Sequence, residues 1–216
     1  MQSSLSSSIY KALTETAMLV LGDGFSFEVE QPENGRGNDF GGNLYQVRCY
    51  LDGRLFENFH VNVGVGDLVA GEFDWLSFES ILAFAGIEPA TVPCYPITHQ
   101  IAEKFHALTR QYASGESTRV KDFVDILLLA KFGNIDGMLL QDAIRSTFET
   151  RDTHPMPSEV PALPGTLSRG YKHLAKSLKL GYGTYKDAEE ALGKFLNPVL
   201  REDEPGVWVT ESWSWS

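Results

Sequence analysis

The dipeptide Asp52-Gly53 lies between two runs of alternating polarity, NLYQVRCYL before it and RLFENFHVNVGVG after it. A two-residue connection of this kind needs positive φ at both positions, which Asp and Gly tolerate and which matches the twist of the flanking strands. The runs are therefore predicted to form an antiparallel hairpin, and the first part of the chain must bury one face of a small sheet. Phe25, Phe27 and Val29 alternate with polar residues and read as a further strand. In the second hairpin strand Leu55, Phe59, Val61 and Val63 are predicted on the apolar side, with Glu57 the polar exception. Phe56, Asn58, His60 and Asn62 share the other side, and Gln46 and Arg48 of the first hairpin strand sit on a polar side too. The apolar face is expected to carry helices. The polar face is either solvated or lines a cleft.

Outside the hairpin the apolar period is that of a helix. Ile9, Leu13, Ala17 and Val20 predict a helix within residues 1–20, and Gln31–Gly42 is a glycine- and asparagine-rich loop. A helix is predicted around Leu76–Ala85, then a proline-punctuated connection over Glu88–Pro96. Ile97, Ile101, Phe105, Leu108 and Tyr112 form one stripe. Phe123, Ile126, Leu127 and Ala130 form a second, on a helix capped by Ser117 or Thr118 and ending near Phe132 with Gly133 as C-cap. Further helices are predicted at Ile135–Thr150, Leu167–Leu178 and Tyr185–Leu196, the last capped by Thr184. The four prolines of Arg151–Pro164 exclude a long helix there. The tail GVWVTESWSWS is too short to fold alone, and its tryptophans either dock as a terminal strand or lie loose. The predicted organisation is an α+β part over 1–96 and a helical part over 97–216.

The formal net charge is −11. Such a chain is repelled by phosphate backbones at long range, which disfavours general coating of nucleic acid but leaves room for one local basic patch. No apolar run is long enough to span a bilayer, so no membrane partner is expected. Cys49 and Cys94 are the only cysteines. They do not make a disulfide framework, and a reducing cytoplasm is the expected location.

The segment IAEKFHALTRQYASGESTRVKDFVDILLL concentrates charge beside apolar stripes. Lys104 falls at the edge of the first stripe. Asp122 and Asp125 are three apart and project to nearly the same side of the second helix, flanked by Arg119 and Lys121. Each has an ordinary structural reading: a snorkelling lysine, an aspartate at a helix N-terminus, an aspartate paired with Lys121. Those readings do not explain why such residues recur on two adjoining helices, since charge kept beside a buried seam is costly unless paired or used. His60, His99 and His106 read as packing or surface residues. Arg169, Lys172, Lys176 and Lys179 run along one helix face, which is solvated or contacts RNA phosphates.

Ala102-Glu103-Lys104, Ala107-Leu108 and Arg110, followed by Arg119, Lys121-Asp122 and Asp125, resemble the paired C-terminal motifs of the AbiEii/AbiGii-like nucleotidyltransferase toxins. That family is associated with abortive infection, phage defence and toxin–antitoxin systems. The strand ending HVNVGVGD resembles its central strand. The resemblance runs from about Phe25 to about Phe132. It implies a DNA-polymerase-β-like nucleotidyltransferase core, a small mixed sheet with helices, N-terminally incomplete and followed by a helical C-terminal part. It further implies a nucleoside triphosphate substrate, Mg²⁺, an RNA (tRNA) or protein acceptor, and a separate cognate antitoxin. By the same resemblance Lys104 would hold nucleotide phosphates, with Arg110, Arg119 and Lys121 as further nucleotide-binding cations. Asp122 would be the lysine's acidic partner, or a base for the incoming hydroxyl, and Asp125 would buttress it.

Two departures bear on activity. The family's metal-binding carboxylates come from an early strand motif, and the sequence contains no Asp-x-Asp pair on a strand; the resemblance then implies either an upstream polypeptide that completes the fold or a true start further upstream. Asn62 stands where a third carboxylate is expected. Two unit charges about 4 Å apart interact by roughly 4 kcal/mol at an effective dielectric near 20. Loss of one such charge is worth about two to three decades of rate. The sequence therefore leaves two readings: a transferase whose site is completed elsewhere, or a catalytically degenerate relative acting as a binding or interaction module.

Overall fold

The computed structural model describes residues 2–31, 43–64, 73–77, 79, 84, 86, 88–110, 119–203 and 205–216. The chain divides into two compact units, Met1–Val69 and Ala70–Ser216.

In the first unit helix α1 (Gln2–Ala17) precedes strands β1 (Phe25–Val29), β2 (Asn43–Leu51) and β3 (Arg54–Val63), which form one antiparallel sheet in that order. The hairpin turn adopts the predicted geometry, with φ of 48° at Asp52 and 74° at Gly53. Tyr45, Val47 and Cys49 are buried on one face. Helix α1 packs on the sheet through Tyr10, whose ring stacks on Tyr45 at 6.5 Å and whose hydroxyl donates to the Val29 carbonyl at 3.4 Å. Val20 does not continue the α1 stripe. The helix ends at Ala17, before the positive-φ glycines Gly22 and Gly24, and Val20 is 93% exposed.

Strict alternation fails at one place in β3. Cys49 faces Glu57 while Tyr50 faces Leu55, so Phe56 is an extra residue in a bulge. Directly paired residues share a face, so Leu55 lies on the Tyr50 side and Phe56 turns toward the edge of Phe25, 5.6 Å away. Both assignments reverse the alternating expectation. Beyond the bulge, Arg48 faces Asn58, Gln46 faces His60 and Leu44 faces Asn62, which forms the predicted polar side. Gly41-Gly42 and Gly66-Asp67 lie outside the described residues.

The second unit opens with a two-stranded antiparallel ribbon, β4 (Asp74–Ser77) and β5 (Thr91–Cys94). Leu76 is thus in a strand, not at the start of a helix, and part of the expected Glu88–Pro96 connection is also a strand. Much of the remaining predicted helix to Ala85 lies outside the described residues. Pro93 faces Trp75; a ribbon has an open edge on each strand, where a missing N–H costs no ladder bond. Every strand pairing among the described residues is antiparallel. The class is α+β, and the mixed sheet of the expectation is not seen among these pairings.

Five helices follow: α2 (Ile97–Thr109), α3 (Val120–Phe132), α4 (Gly137–Arg151), α5 (Leu167–Ser177) and α6 (Tyr185–Leu200). Ile101, Phe105 and Leu108 of α2 and Phe123, Ile126, Leu127 and Ala130 of α3 are buried, as their spacing predicts. Tyr112, Ser117 and Thr118 lie outside the described residues. Thr184 caps α6 in a reciprocal box with Asp187. That helix continues through Pro198 to Leu200, past its predicted end, because its last turn buries Val199 and Leu200. Gly133 closes α3 with φ −84°, so left-handed freedom is not its role. A Cβ there would collide with the Ile97 side chain and lie 2.7 Å from the Leu129 carbonyl oxygen. The tail docks as β6 (Trp208–Val209) and β7 (Ser214–Trp215), with Trp208 N donating to the Ile135 carbonyl at 2.9 Å.

Candidate functional site

The stripes that bury α2 against α3 leave Lys104 at the rim of their contact, opposite the first turns of α3. There the Lys104 ammonium donates to Asp125 Oδ2 at 2.7 Å and lies 3.8 Å from Asp122 Oδ1. Arg119 Nη1 lies 3.7 Å from Asp122 Oδ2. Two cations and two carboxylates thus alternate in one cluster. Asp122 is its most enclosed member, with a side chain 17% exposed against 41% for Asp125. Burial pushes the Asp122 carboxyl above its ordinary range. The Lys104 and Arg119 charges pull it back, and the neighbouring Asp125 charge adds to the rise.

The geometry revises the reading of individual residues. The lysine's closer partner is Asp125, not Asp122. Lys121 is exposed and makes no ion pair among the described residues, so the ordinary Lys121–Asp125 helix pair does not form. Arg110 follows α2 as its C-cap, and its charge acts on His106 and His154. Asn62 belongs to the first unit, exposed on the polar side of β3.

The family of nucleotidyl transferase AbiEii toxins, of type IV TA systems, matches residues 2–208. The chain belongs to this family. No curated protein matches it. Among the described residues no helix is long and apolar enough to cross a membrane. Membership makes the chain a nucleotidyltransferase-like toxin, and the Lys104 cluster lies within the matched span.

Nucleotidyltransferases of this family generally use Mg²⁺. Mg²⁺ takes near-octahedral oxygen ligands, usually one or two carboxylates with water and substrate oxygens. Asp122 and Asp125 are already balanced by an ammonium and a guanidinium. Among the described residues no three His, Cys, Asp or Glu side chains converge as a metal site, and Asn62 offers a neutral oxygen. These residues do not fit the ion.

A second constellation escaped the sequence reading because its members are more than forty residues apart. Thr153 Oγ1 is 2.9 Å from His106 Nε2 and from His154 Nδ1, and His154 Nε2 is 2.9 Å from Thr109 Oγ1. His106 is 2% exposed, against the edge of Phe148 at 4.9 Å. Burial first, then the charges of His154, Arg151 and Arg110, lower its pKa from 6.5 to about 4. Between those values the unfolded chain binds the extra proton and the folded chain does not. Stability is therefore complete above 6.5 and falls as pH drops toward 4, by up to about 3 kcal/mol. His154 is lowered mainly by burial and adds in the same direction. His106→Asn is expected to flatten the acid limb of the stability curve measured by urea unfolding. An unchanged slope would contradict this account of the loop staple.

Proposed function

We propose that this chain acts in the cytoplasm as a nucleotidyltransferase toxin, moving a nucleotide from a nucleoside triphosphate to an RNA acceptor of the tRNA class, restrained by a cognate antitoxin. The observation that carries the reading is the Lys104–Asp125–Asp122–Arg119 cluster on α2 and α3. Lys104 is a compact charge on a flexible stem, suited to meeting phosphates at the rim of a packed helix pair. Its resting partner Asp125 is partly exposed, so a triphosphate with more charge can displace it. Arg119 neutralises the same polyanion. Asp122 holds and aims the two cations. The family match over residues 2–208 is what supports a DNA-polymerase-β-like core, and the motif-bearing helical part begins at Ile97.

Because the described donor set does not fit Mg²⁺, this reading has the metal-side carboxylates supplied by a segment other than these residues, on an upstream polypeptide. A second reading has its own support in Asn62 and in the closed ion cluster: a degenerate relative that keeps triphosphate binding without transfer. Incubating the purified chain with labelled nucleoside triphosphates, Mg²⁺ and total RNA separates the two. Transfer that Lys104→Ala abolishes supports the transferase. Binding of triphosphate with no transfer, alone or with the upstream polypeptide added, supports the degenerate module.

A further inference from the structure

Helix α5 carries a surface that the nucleotide site does not use. Residues 165–186, GTLSRGYKHLAKSLKLGYGTYK, contain no acidic residue in a chain of net charge −11. Arg169, Lys172 and Lys176 are exposed on α5, with Lys179 exposed just beyond its end. None of the four makes an ion pair among the described residues, whereas Lys104, Arg119, Arg145, Arg151 and Arg201 all do. The four are spaced three, four and three apart, so successive pairs repel along the helix. The helix is otherwise weakly specified: its N-cap, Thr166, makes no side-chain hydrogen bond, its first turn has no acid, and Gly170 interrupts it. Like charge held on such a helix is better explained by an anion that meets it than by solvation alone.

Placement connects the stripe to the cluster. Gly170 sits against Val120, and a Cβ at Gly170 would lie 3.0 Å from Val120 Cγ1. Phe123 meets the Tyr171 ring at 5.6 Å. The stripe therefore starts beside the turn of α3 that carries Arg119 and Asp122, and runs from Arg169 to Lys176 over about 10 Å at ~1.5 Å per residue, with Lys179 just beyond the helix end. That reach spans several consecutive phosphates of one strand. The apolar side of α5 is already spent inward, with Leu167 and Tyr171 buried and Leu174 packed on the core. A membrane surface, which needs that side free, is thus disfavoured.

We infer that the basic face of α5 tracks the phosphate backbone of the RNA acceptor and leads it toward the Lys104 cluster. The inference rests on the transferase reading for the word acceptor. The test measures binding of a fluorescein-labelled RNA hairpin by anisotropy across a salt series. It compares the full chain with Lys172→Gln/Lys176→Gln and with Lys104→Ala. Neutral glutamines remove repulsion without disturbing the buried side, so the fold is retained, which circular dichroism checks. The glutamine variant is expected to bind RNA more weakly at low salt, with the slope of log K against log salt reduced by about 0.7–0.9 per lost contact. Its affinity for nucleoside triphosphate is expected to be unchanged. Lys104→Ala is expected to lose triphosphate affinity, the reverse of the glutamine variant. An unchanged salt slope in the glutamine variant overturns the α5 assignment and leaves the transferase reading intact. Loss of binding to an acidic peptide, with RNA binding retained, overturns it in favour of a protein partner. Absence of nucleotide transfer by the wild type, both alone and with the upstream polypeptide added, with α5-dependent RNA binding intact, overturns the transferase reading alone.

Discussion

Lys104→Ala is expected to lower nucleotide transfer, or triphosphate affinity if transfer needs a second component, by about three decades. A lysine charge within about 4 Å of a phosphate charge contributes roughly 4 kcal/mol at an effective dielectric near 20, and each ~1.4 kcal/mol is tenfold. The same substitution leaves Asp122 and Asp125 adjacent without the ammonium that now lies 3.8 and 2.7 Å from them. With Asp125 partly exposed, the stability cost is discounted to about 1–2 kcal/mol. The pH dependence has a definite sign. A carboxyl whose folded pKa is raised binds its proton more tightly in the folded chain, so stability falls as pH rises from the ordinary value through the raised one. Removing Lys104 takes away the largest opposing charge, so the penalty should grow with pH across that window. Asp125→Asn separates function from packing. It frees the lysine from its closer partner, and triphosphate affinity is expected to rise or hold. A parallel loss of affinity in Asp125→Asn and Lys104→Ala would mean that the pair is only a structural bridge.

Trp208→Ala is expected to have the largest effect on stability. Trp208 is 3% exposed; its indole N–H donates to the Ala130 carbonyl at 2.8 Å, and its ring meets Phe195, Trp213 and Trp215 at 4.8, 5.1 and 5.1 Å. Truncation removes a large buried side chain, worth about 3–5 kcal/mol, and leaves a buried carbonyl without its donor. At about 2–4 °C per kcal/mol for a domain of this size, thermal unfolding should drop by roughly 10 °C or more. Trp208→Phe keeps much of the ring packing and loses only the N–H, so its cost should be about 1–2 kcal/mol. Scanning calorimetry on both variants checks the ordering. Equal, small shifts would show that the tail contributes little to the helical unit. The tail holds α3 from below: Trp213 and Trp215 donate to Ala191 and Phe195 of α6, while Trp208 reaches Ala130 of α3. Losing Trp208 should therefore also loosen the helix that carries Asp122 and Asp125.

Local chemistry made much of this legible in advance. Asp52-Gly53 fixed a turn, alternation fixed the strands on either side, and apolar spacing fixed which residues of α2 and α3 are buried. What remained hidden depends on partners distant in sequence. The bulge at Phe56 arises from register against β2, which no single strand encodes. The β4–β5 ribbon joins segments separated by a stretch with no strand signal, and its Pro93 argued against a strand. Gly133 looked like a left-handed cap and is instead required by the approach of Ile97. In the candidate site the residue types were evident from the paired motifs, but the choice of Asp125 over Asp122 as the nearer partner depends on how α2 crosses α3. The His106–Thr153–His154–Thr109 staple had no local signature, since it joins the last turns of α2 to the Thr153–His154 pair more than forty residues away.

On the function proposed above, the Lys104 cluster of this AbiEii-family chain meets the triphosphate while no metal site is present among the described residues. Calorimetric titration of a nucleoside triphosphate, with and without Mg²⁺, into wild type and Lys104→Ala checks that reading. Wild type is expected to bind triphosphate with little enhancement by Mg²⁺, and Lys104→Ala is expected to lose that binding. Strong Mg²⁺ enhancement in wild type, together with undiminished binding by Lys104→Ala, would contradict the reading.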